Sequence, residues 1–186
     1  KENNVLLMEA MWTRFLPAIL RAKDLIDSGE IGKIKMVTAD MGSFVSEENE
    51  RLFSPMFAGG ALLDIGIYVI TLAEIFLGLP DKIYSDSTFN SMGTDSINSM
   101  IFKYKTGEQA LLCSSIANSM KNYAYVLGEK GHIEIPIFYS AQEIYVEKNG
   151  ERTKYSDLFD INGFEYEVRH FADCIEKGMH ESPVMS

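Results

Sequence analysis

The chain has 186 residues, a length typical of one domain, and 46% of them are hydrophobic, which suffices for a core without disulfides. Seventeen Lys and Arg against 27 Asp and Glu give a formal net charge of −10. Because this charge repels phosphate backbones and anionic lipids, nucleic acid and membrane surfaces are not expected as partners. An ordinary acidic surface has the same charge, so the charge identifies no partner.

The ends of the chain suggest that it is a piece cut from a longer polypeptide. No signal peptide is expected at its start. Residues 5–8 (VLLM) have the composition of a short buried strand, yet nothing precedes them that could pair with them. At the other end, Ser186 has the character of an N-cap for a helix that would follow. Two cysteines do not suggest a disulfide framework, so we expect a reducing, cytoplasmic location.

The first half of the chain predicts a helix, a strand and a second helix. Residues 17–28 form the first helix, since Pro17 suits a first helical position. Residues 33–44 have the partly alternating pattern of a strand, and residues 46–51 form a polar loop. Residues 61–77 are almost entirely apolar, so the second helix should be buried on nearly all sides.

The second half predicts pairs of antiparallel strands and a final helix. Short turns that contain glycine, of which Asn149-Gly150 is the clearest, join each pair. The strands are 97–104 with 109–116, 123–127 with 132–135, and 143–147 with 152–155. Asn162 and Glu165 have the spacing of a capping box for the final helix. Its predicted inward stripe is Phe164, Val168, Phe171 and Ile175.

This order of elements predicts an α+β fold, an open and largely antiparallel β-sheet with helices packed on one face. No repeat, low-complexity segment or linker interrupts the chain. Residues 1–186 are therefore predicted to form a single domain.

The apolar second helix contains the best candidate for chemistry. Asp64 and Tyr68 lie four residues apart, so both should point from one side of the helix. A phenol with an ordinary pKa of about 10 needs a nearby cation or a relay to exchange protons at neutral pH. Two interpretations stay open. Tyr68 exchanges a proton with a substrate that Asp64 helps to position, or Asp64 satisfies a loop backbone and Tyr68 belongs to the core.

A second candidate lies before the first helix. Trp12, the only tryptophan, and Arg14 together suit a planar or cyclic ligand with an anionic group. Phe44, at the end of the predicted strand, could extend such an aromatic wall. The alternative is that both aromatic residues belong to the core and that Arg14 pairs with a surface acid.

Other motifs of catalysis or ligand binding are missing from the sequence. The histidines and cysteines lack the spacing of metal ligands, so no metal site is predicted. Neither a Gly-x-Gly-x-x-Gly turn nor a P-loop occurs, so no phosphate-binding loop is predicted within this chain.

Residues 8–17 (MEAMWTRFLP) and 59–68 (GGALLDIGIY) together resemble the glucose-fructose oxidoreductase, inositol dehydrogenase and rhizopine-catabolism (Gfo/Idh/MocA) family, and within it the branch of dimeric dihydrodiol dehydrogenase. The resemblance covers nearly the whole chain as the C-terminal domain of a two-domain NAD(P)-dependent oxidoreductase. It implies that residues 1–12 are the tail of an N-terminal Rossmann domain, which binds most of the cofactor. It also implies a closing helix after residue 186.

The resemblance assigns roles to five residues. Asp64 and Tyr68 are implied to be catalytic, although many members of the family have His at the position of Tyr68. Trp12 and Phe44 are implied to be walls of the substrate pocket, and Arg14 is implied to contact the cofactor. A lysine of the Rossmann domain would supply the cation that tunes Tyr68.

The implied function is hydride transfer between NAD or NADP and a carbinol or carbonyl carbon of a sugar, polyol or cyclic diol. The chain alone is expected to be inactive, and the sheet face is expected to form a homodimer or a higher homo-oligomer. The alternative is a non-catalytic module for dimerisation or ligand sensing. The choice between NAD and NADP and the identity of the substrate are not readable from these residues.

Overall fold

The structure, a computed structural model, describes residues 5–185 and contains one eight-stranded sheet. The strands are β1 (Ile34–Gly42), β2 (Lys82–Phe89), β3 (Asp95–Lys103), β4 (Gln109–Ser115), β5 (Ala124–Gly128), β6 (Gly131–Ile135), β7 (Glu143–Lys148) and β8 (Glu151–Ser156). Their order across the sheet is β2-β3-β4-β1-β5-β6-β7-β8, in which β1 and β4 are parallel and all other neighbours antiparallel. The predicted open, largely antiparallel sheet is confirmed.

The helices are α1 (Pro17–Asp27), α2 (Glu50–Phe53), α3 (Ile67–Leu77) and α4 (Glu165–Glu176). Short 3₁₀ turns lie at Trp12–Phe15, Pro55–Phe57 and Phe138–Ser140, and a π-helical turn lies at Leu62–Gly66. The turn Trp12–Phe15 leads directly into α1, which begins at Pro17 as predicted. α3 packs against β1 and β4, and α1 packs against β7, so both helices cover the same face of the sheet.

The core lies between α1, α3 and this face of the sheet. Val37 of β1 and Leu72 of α3 are completely buried there, as are Ile19 of α1 and Ile144 of β7. Each large aliphatic side chain buried in this way contributes roughly 1.5–3 kcal/mol to folding. On the other face of the sheet, alternate residues stay exposed, which explains the in-out burial pattern of β3 and β4.

The three predicted strand pairs are β3 with β4, β5 with β6 and β7 with β8, and all three pair antiparallel as expected. β2 is not predicted from the sequence, because its residues are nearly all exposed at the edge of the sheet and leave no burial pattern. α2 is not predicted either, since it is a single short turn that begins in the predicted polar loop and ends just beyond it. Periodicity needs several buried residues to be detected.

The prediction of a buried strand at residues 5–8 is wrong for the described chain. These residues belong to no strand, and Val5 and Leu7 are exposed. An apolar strand needs a hydrogen-bonded neighbour, and none pairs with it among residues 5–185. Residues 1–4 and Ser186, the predicted cap, lie outside the described residues.

The predicted inward stripe of α4 is also wrong. Phe164, Val168 and Ile175 are 49%, 63% and 57% exposed, whereas Glu167 and Cys174 are buried. α4 packs on the turn Trp12–Phe15 and not on the sheet, so its apolar stripe has no sheet face to cover. Helical periodicity shows which residues share one face of a helix. It does not show which face packs against the rest of the protein.

The segment Pro55–Leu77 is long and apolar enough, by length and composition alone, to cross a membrane. In this fold it is not one regular helix. A 3₁₀ turn, the left-handed residue Ala58 and the π-helical turn come before α3. α3 then packs against β1 and β4, where it is the core helix of the sheet.

Glu165 organises the loop before α4. Its carboxylate accepts hydrogen bonds from the backbone N–H groups of Ile161 (2.7 Å), Asn162 (3.1 Å) and Gly163 (2.6 Å). Asn162 accepts from the N–H of Phe164 and not from that of Glu165, so only the Glu165 half of the predicted capping box forms. Desolvation would raise the pKa of Glu165, but the backbone donors outweigh it and lower the pKa to about 2.

We expect Glu165→Gln to destabilise the protein at neutral pH, because a neutral amide accepts these N–H bonds less strongly. The folded-state pKa lies below the ordinary value of 4.5. The stabilisation is therefore complete above that ordinary value and is lost as the pH falls toward about 2. Urea unfolding of both proteins across this acid range measures the effect, with Glu176→Gln at the exposed end of α4 as the control. A stability difference that does not change with pH would contradict this account.

Candidate active site

Asp64 lies in the π-helical turn that leads into α3. Gly60, two residues before this turn, has a φ of +115°, which residues with a side chain rarely adopt. Ala61 packs into a small separate core with Leu52 and Phe53, so the turn is fixed on its inner side. π-helical turns widen a helix locally and are frequent at functional sites.

Asp95, at the start of β3, anchors this turn. Its carboxylate accepts the backbone N–H of Leu62 at 2.7 Å and the side-chain amide of Asn98 at 2.6 Å. The same carboxylate lies so close to Gly60 that a Cβ there would be 2.1 Å from Oδ1. The sequence analysis did not identify Asp95, because it is far from the turn in the chain and no motif marks it.

The carboxylate of Asp64 forms an ion pair with Arg51 of α2, with 2.7 Å between Nη2 and Oδ1. Arg51 is exposed, and exposed ion pairs contribute only about 0–1 kcal/mol. The ion pair therefore orients the carboxylate of Asp64 but adds little to the stability of the fold. Arg51 was read from the sequence only as part of a polar loop.

Tyr68 is half-buried at the start of α3 and lies next to several groups that act on its phenol. Burial has the largest effect and raises the pKa of Tyr68. The indole N–H of Trp12 lowers it, while the charges of Asp64 and Glu167 raise it further. The ring of Tyr139 makes an edge contact, with ring centroids 6.3 Å apart. The predicted pair thus shares one electrostatic environment, in which Tyr68 stays protonated at neutral pH.

Trp12 is buried in the main core and stacks on Phe164, with ring centroids 4.4 Å apart. Gly163 lies against the same indole, and a Cβ at this position would be 2.6 Å from Trp12 Cζ3. Phe164, which was predicted to belong to a core stripe, is therefore an exposed aromatic residue beside Trp12. Trp12 is both a core residue and a neighbour of Tyr68, so the two alternatives considered for it do not exclude each other.

The structure does not bring Arg14 and Phe44 to Tyr68. Arg14 forms a salt bridge with Glu74 of α3, and both line a cavity of 340 Å³ whose described lining excludes Asp64 and Tyr68. Phe44 is exposed and lines another cavity, of 560 Å³, beside the small core around Leu52 and Phe53. The expected wall of Trp12 and Phe44 is not a direct contact in this chain.

The open, largely antiparallel sheet with helices on one face, and the Asp and Tyr where the π-helical turn meets α3, agree with the C-terminal domain that the resemblance implies. A family model for the GFO/IDH/MocA C-terminal domain matches residues 19–134. The chain belongs to this family, as the resemblance implied.

Curated relatives cover the whole chain. Trans-1,2-dihydrobenzene-1,2-diol dehydrogenase of Mus musculus is 33% identical over 195 residues, which include 100% of this chain and 58% of that enzyme. The enzyme of the same name from Xenopus laevis is 34% identical, over 98% of the chain and 58% of the enzyme. The chain thus spans little more than half the length of the curated relatives it matches.

Solved structures agree on the fold. A 3-ketoreductase from Actinomadura kijaniata superposes with a TM-score of 0.87 at 22% identity, over 96% of this chain and 57% of that one. An aldose-aldose oxidoreductase from Caulobacter crescentus superposes with a TM-score of 0.86 at 23% identity, over 97% of this chain and 56% of that one.

We expect Asp95→Ala to lower the free energy of unfolding by about 1–3 kcal/mol, because it leaves the N–H of Leu62 and the amide of Asn98 without their acceptor. Urea unfolding measures this loss. Asp86→Ala, which removes an exposed carboxylate from β2, is the matched control and should change stability little. Equal effects of the two substitutions would show that Asp95 does not anchor the turn.

Proposed function

We propose that this chain is the substrate-side domain of an oxidoreductase that transfers a hydride between NAD or NADP and a carbinol or carbonyl carbon of a sugar, polyol or cyclic diol. The observation that carries this proposal is the half-buried phenol of Tyr68, which shares its surroundings with Asp64 and Trp12 in a domain of the GFO/IDH/MocA family. The names of the relatives support the substrate class, since they include diol dehydrogenases, a ketoreductase and an aldose oxidoreductase.

In this proposal Tyr68 carries the proton and Asp64 positions the substrate. The cofactor, when bound, supplies or accepts the hydride at the reacting carbon. In the direction of reduction, the phenol of Tyr68 gives its proton to the oxygen that becomes a hydroxyl, and water or a neighbouring group returns a proton to the phenolate. The raised pKa of Tyr68 keeps it a proton donor at neutral pH. Oxidation would need a cation beside the phenolate in addition to the described residues.

The residues around Tyr68 suit the nicotinamide end of the cofactor. The flat rings of Trp12 and Phe164 can border a planar ring, whereas Asp64 and Glu167 would repel a pyrophosphate. We therefore assign most of the cofactor contacts to a Rossmann domain outside this chain. Arg14 stays a proposed cofactor contact, and Glu74 competes for its guanidinium. Phe44 stays a proposed wall of the substrate pocket.

We expect Tyr68→Phe in the two-domain enzyme to lower kcat about 100-fold or more, because it removes the proton donor while keeping the ring. KM should change far less. Tyr155→Phe, on β8, is the matched control that should keep its activity, and circular dichroism checks the fold of both. A Tyr68→Phe enzyme with full hydride-transfer activity would overturn this role, and the non-catalytic module would then be the better reading.

We also propose a homodimer that forms through the open face of the sheet, in the cytoplasm. Tyr84, Ile101 and Leu111 lie side by side on β2, β3 and β4, and all three are exposed. An exposed apolar row of this kind favours association with another protein surface. The two free cysteines, Cys113 and Cys174, suit a reducing compartment.

We expect the double substitution Ile101→Lys and Leu111→Lys to convert the dimer to a monomer. Burying the charged lysines in the interface would cost more free energy than the remaining contact contributes. Light scattering at several concentrations measures the mass. Leu158→Lys, which also replaces an exposed leucine but outside the strands, should leave the dimer intact. A monomeric wild-type protein, or a double variant that stays dimeric, would contradict this proposal.

A further inference from the structure

Glu167 lies in the first turn of α4 but takes no part in capping this helix. Glu165 accepts the backbone N–H groups of residues 161–163, and Asn162 accepts that of Phe164. These donors in front of α4 therefore have acceptors already. The carboxyl group of Glu167 needs a partner from elsewhere.

Glu167 lines a cavity of 250 Å³ together with Met8, Ala10, Val168 and Phe171. It is the only polar residue in the described lining of this cavity. Glu167 is 9% exposed, and its Oε2 atom is buried without a hydrogen-bond partner among residues 5–185. Burial raises the pKa of this carboxyl group. The cavity thus combines apolar walls with one carboxyl group whose burial is costly unless something binds it.

No basic residue of the described chain reaches into this cavity. Its described lining contains neither Lys nor Arg. Arg169, two residues beyond Glu167 in α4, forms an ion pair with Asp160, with 2.7 Å between Nη1 and Oδ2. A counter-ion for Glu167 therefore has to come from outside residues 5–185.

The cavity suits one side chain of a protein partner better than a free metabolite. Its 250 Å³ is roughly the volume of eight water molecules, and typical small-molecule sites are larger. Val168 is 63% exposed and Ala10 is also exposed, so apolar surface at the cavity is open to another protein surface.

The chemistry of the cavity favours lysine as the occupant. The aliphatic stem of a lysine can lie along apolar walls while its ammonium group pairs with a carboxylate. A guanidinium would bring more N–H donors than one carboxyl group can accept, and the described lining offers no other polar side chain.

We propose that this cavity is a docking site for a lysine side chain of the cofactor-binding domain, whose ammonium group pairs with Glu167 when the two domains assemble. The inference rests on the two-domain architecture of the proposed function. The relative from Mus musculus has room for such a domain, since the matched region is 58% of that enzyme. The described lining includes neither Asp64 nor Tyr68, so the docking lysine is separate from the hydride-transfer chemistry.

The first test uses the chain itself, with n-butylammonium in place of a lysine side chain and n-butanol as its uncharged analogue. The methyl NMR signal of Met8 reports binding at the cavity, and Met8→Leu identifies this signal among those of the ten methionines. We expect n-butylammonium to bind about tenfold more tightly than n-butanol, because its ammonium group forms a charge-assisted hydrogen bond with Glu167. Equal binding of the two probes overturns the proposal.

Glu167→Gln should remove the preference for n-butylammonium, and Glu167→Met, which is neutral and of similar length, should do the same. Glu176→Gln, at the exposed opposite end of α4, is the matched control and should keep the preference. Circular dichroism checks the fold, and Glu167→Met decides if Glu167→Gln does not fold. A folded Glu167 variant that keeps the preference overturns the proposal, and so does its loss in Glu176→Gln.

The second test compares the chain with the two-domain enzyme, in which the lysine should already fill the cavity. We expect n-butylammonium to bind the two-domain enzyme about tenfold more weakly than the chain, because it has to displace the lysine. Equal binding to both proteins overturns the docking of the second domain. Neither test involves turnover, so the hydride-transfer function is judged separately by Tyr68→Phe.

Discussion

The burial of α3 across the parallel pair β1 and β4 is the constraint on which the rest of the structure depends. α3 is apolar on nearly every side, so no single contact can satisfy it. β1 and β4 cover one side, and the turn Trp12–Phe15 packs against another. The free energy of this burial fixes where the π-helical turn and Tyr68 lie, since both are continuous with the helix.

The burial of α3 also places the phenol of Tyr68 where nearby charges are poorly screened. Asp64 and Glu167 contribute negative charge to the environment of a half-buried phenol, and Arg51, which pairs with Asp64, lies at the surface. In a region of low dielectric constant such charges act more strongly than in water. The described residues thus favour a protonated Tyr68.

Among the residues that the structure describes, apolar side chains stay exposed on two surfaces in particular. One is the open face of the sheet, with its row of Tyr84, Ile101 and Leu111. The other is the outer side of α4, with Val168 and Ile175. Both follow from the same architecture, since helices cover only one face of the sheet and α4 packs on a turn.

Most of the fold could be predicted from the periodicity of the sequence, and so could the proximity of Asp64 and Tyr68. The apolar run of α3, the turn residues between the strand pairs and Pro17 at the start of α1 act locally, so they could be read in order along the chain. Spacing also brought Asp64 and Tyr68 together, because residues four apart share one side of a helix. The edge strand β2 escaped detection because it buries too little to have a pattern.

Only the tertiary structure decided which side of α4 is buried and which distant residues complete the site. Asp95 reaches the π-helical turn, and Phe164 stacks on Trp12, across separations that no local pattern records. Arg14 pairs with Glu74, a partner sixty residues away, as one of its two alternatives proposed, while its contact with the cofactor stays a prediction. The physical reason is common to all three. Hydrogen bonds and charges act over a few ångströms of space, and the chain brings such groups together only when the apolar core has folded.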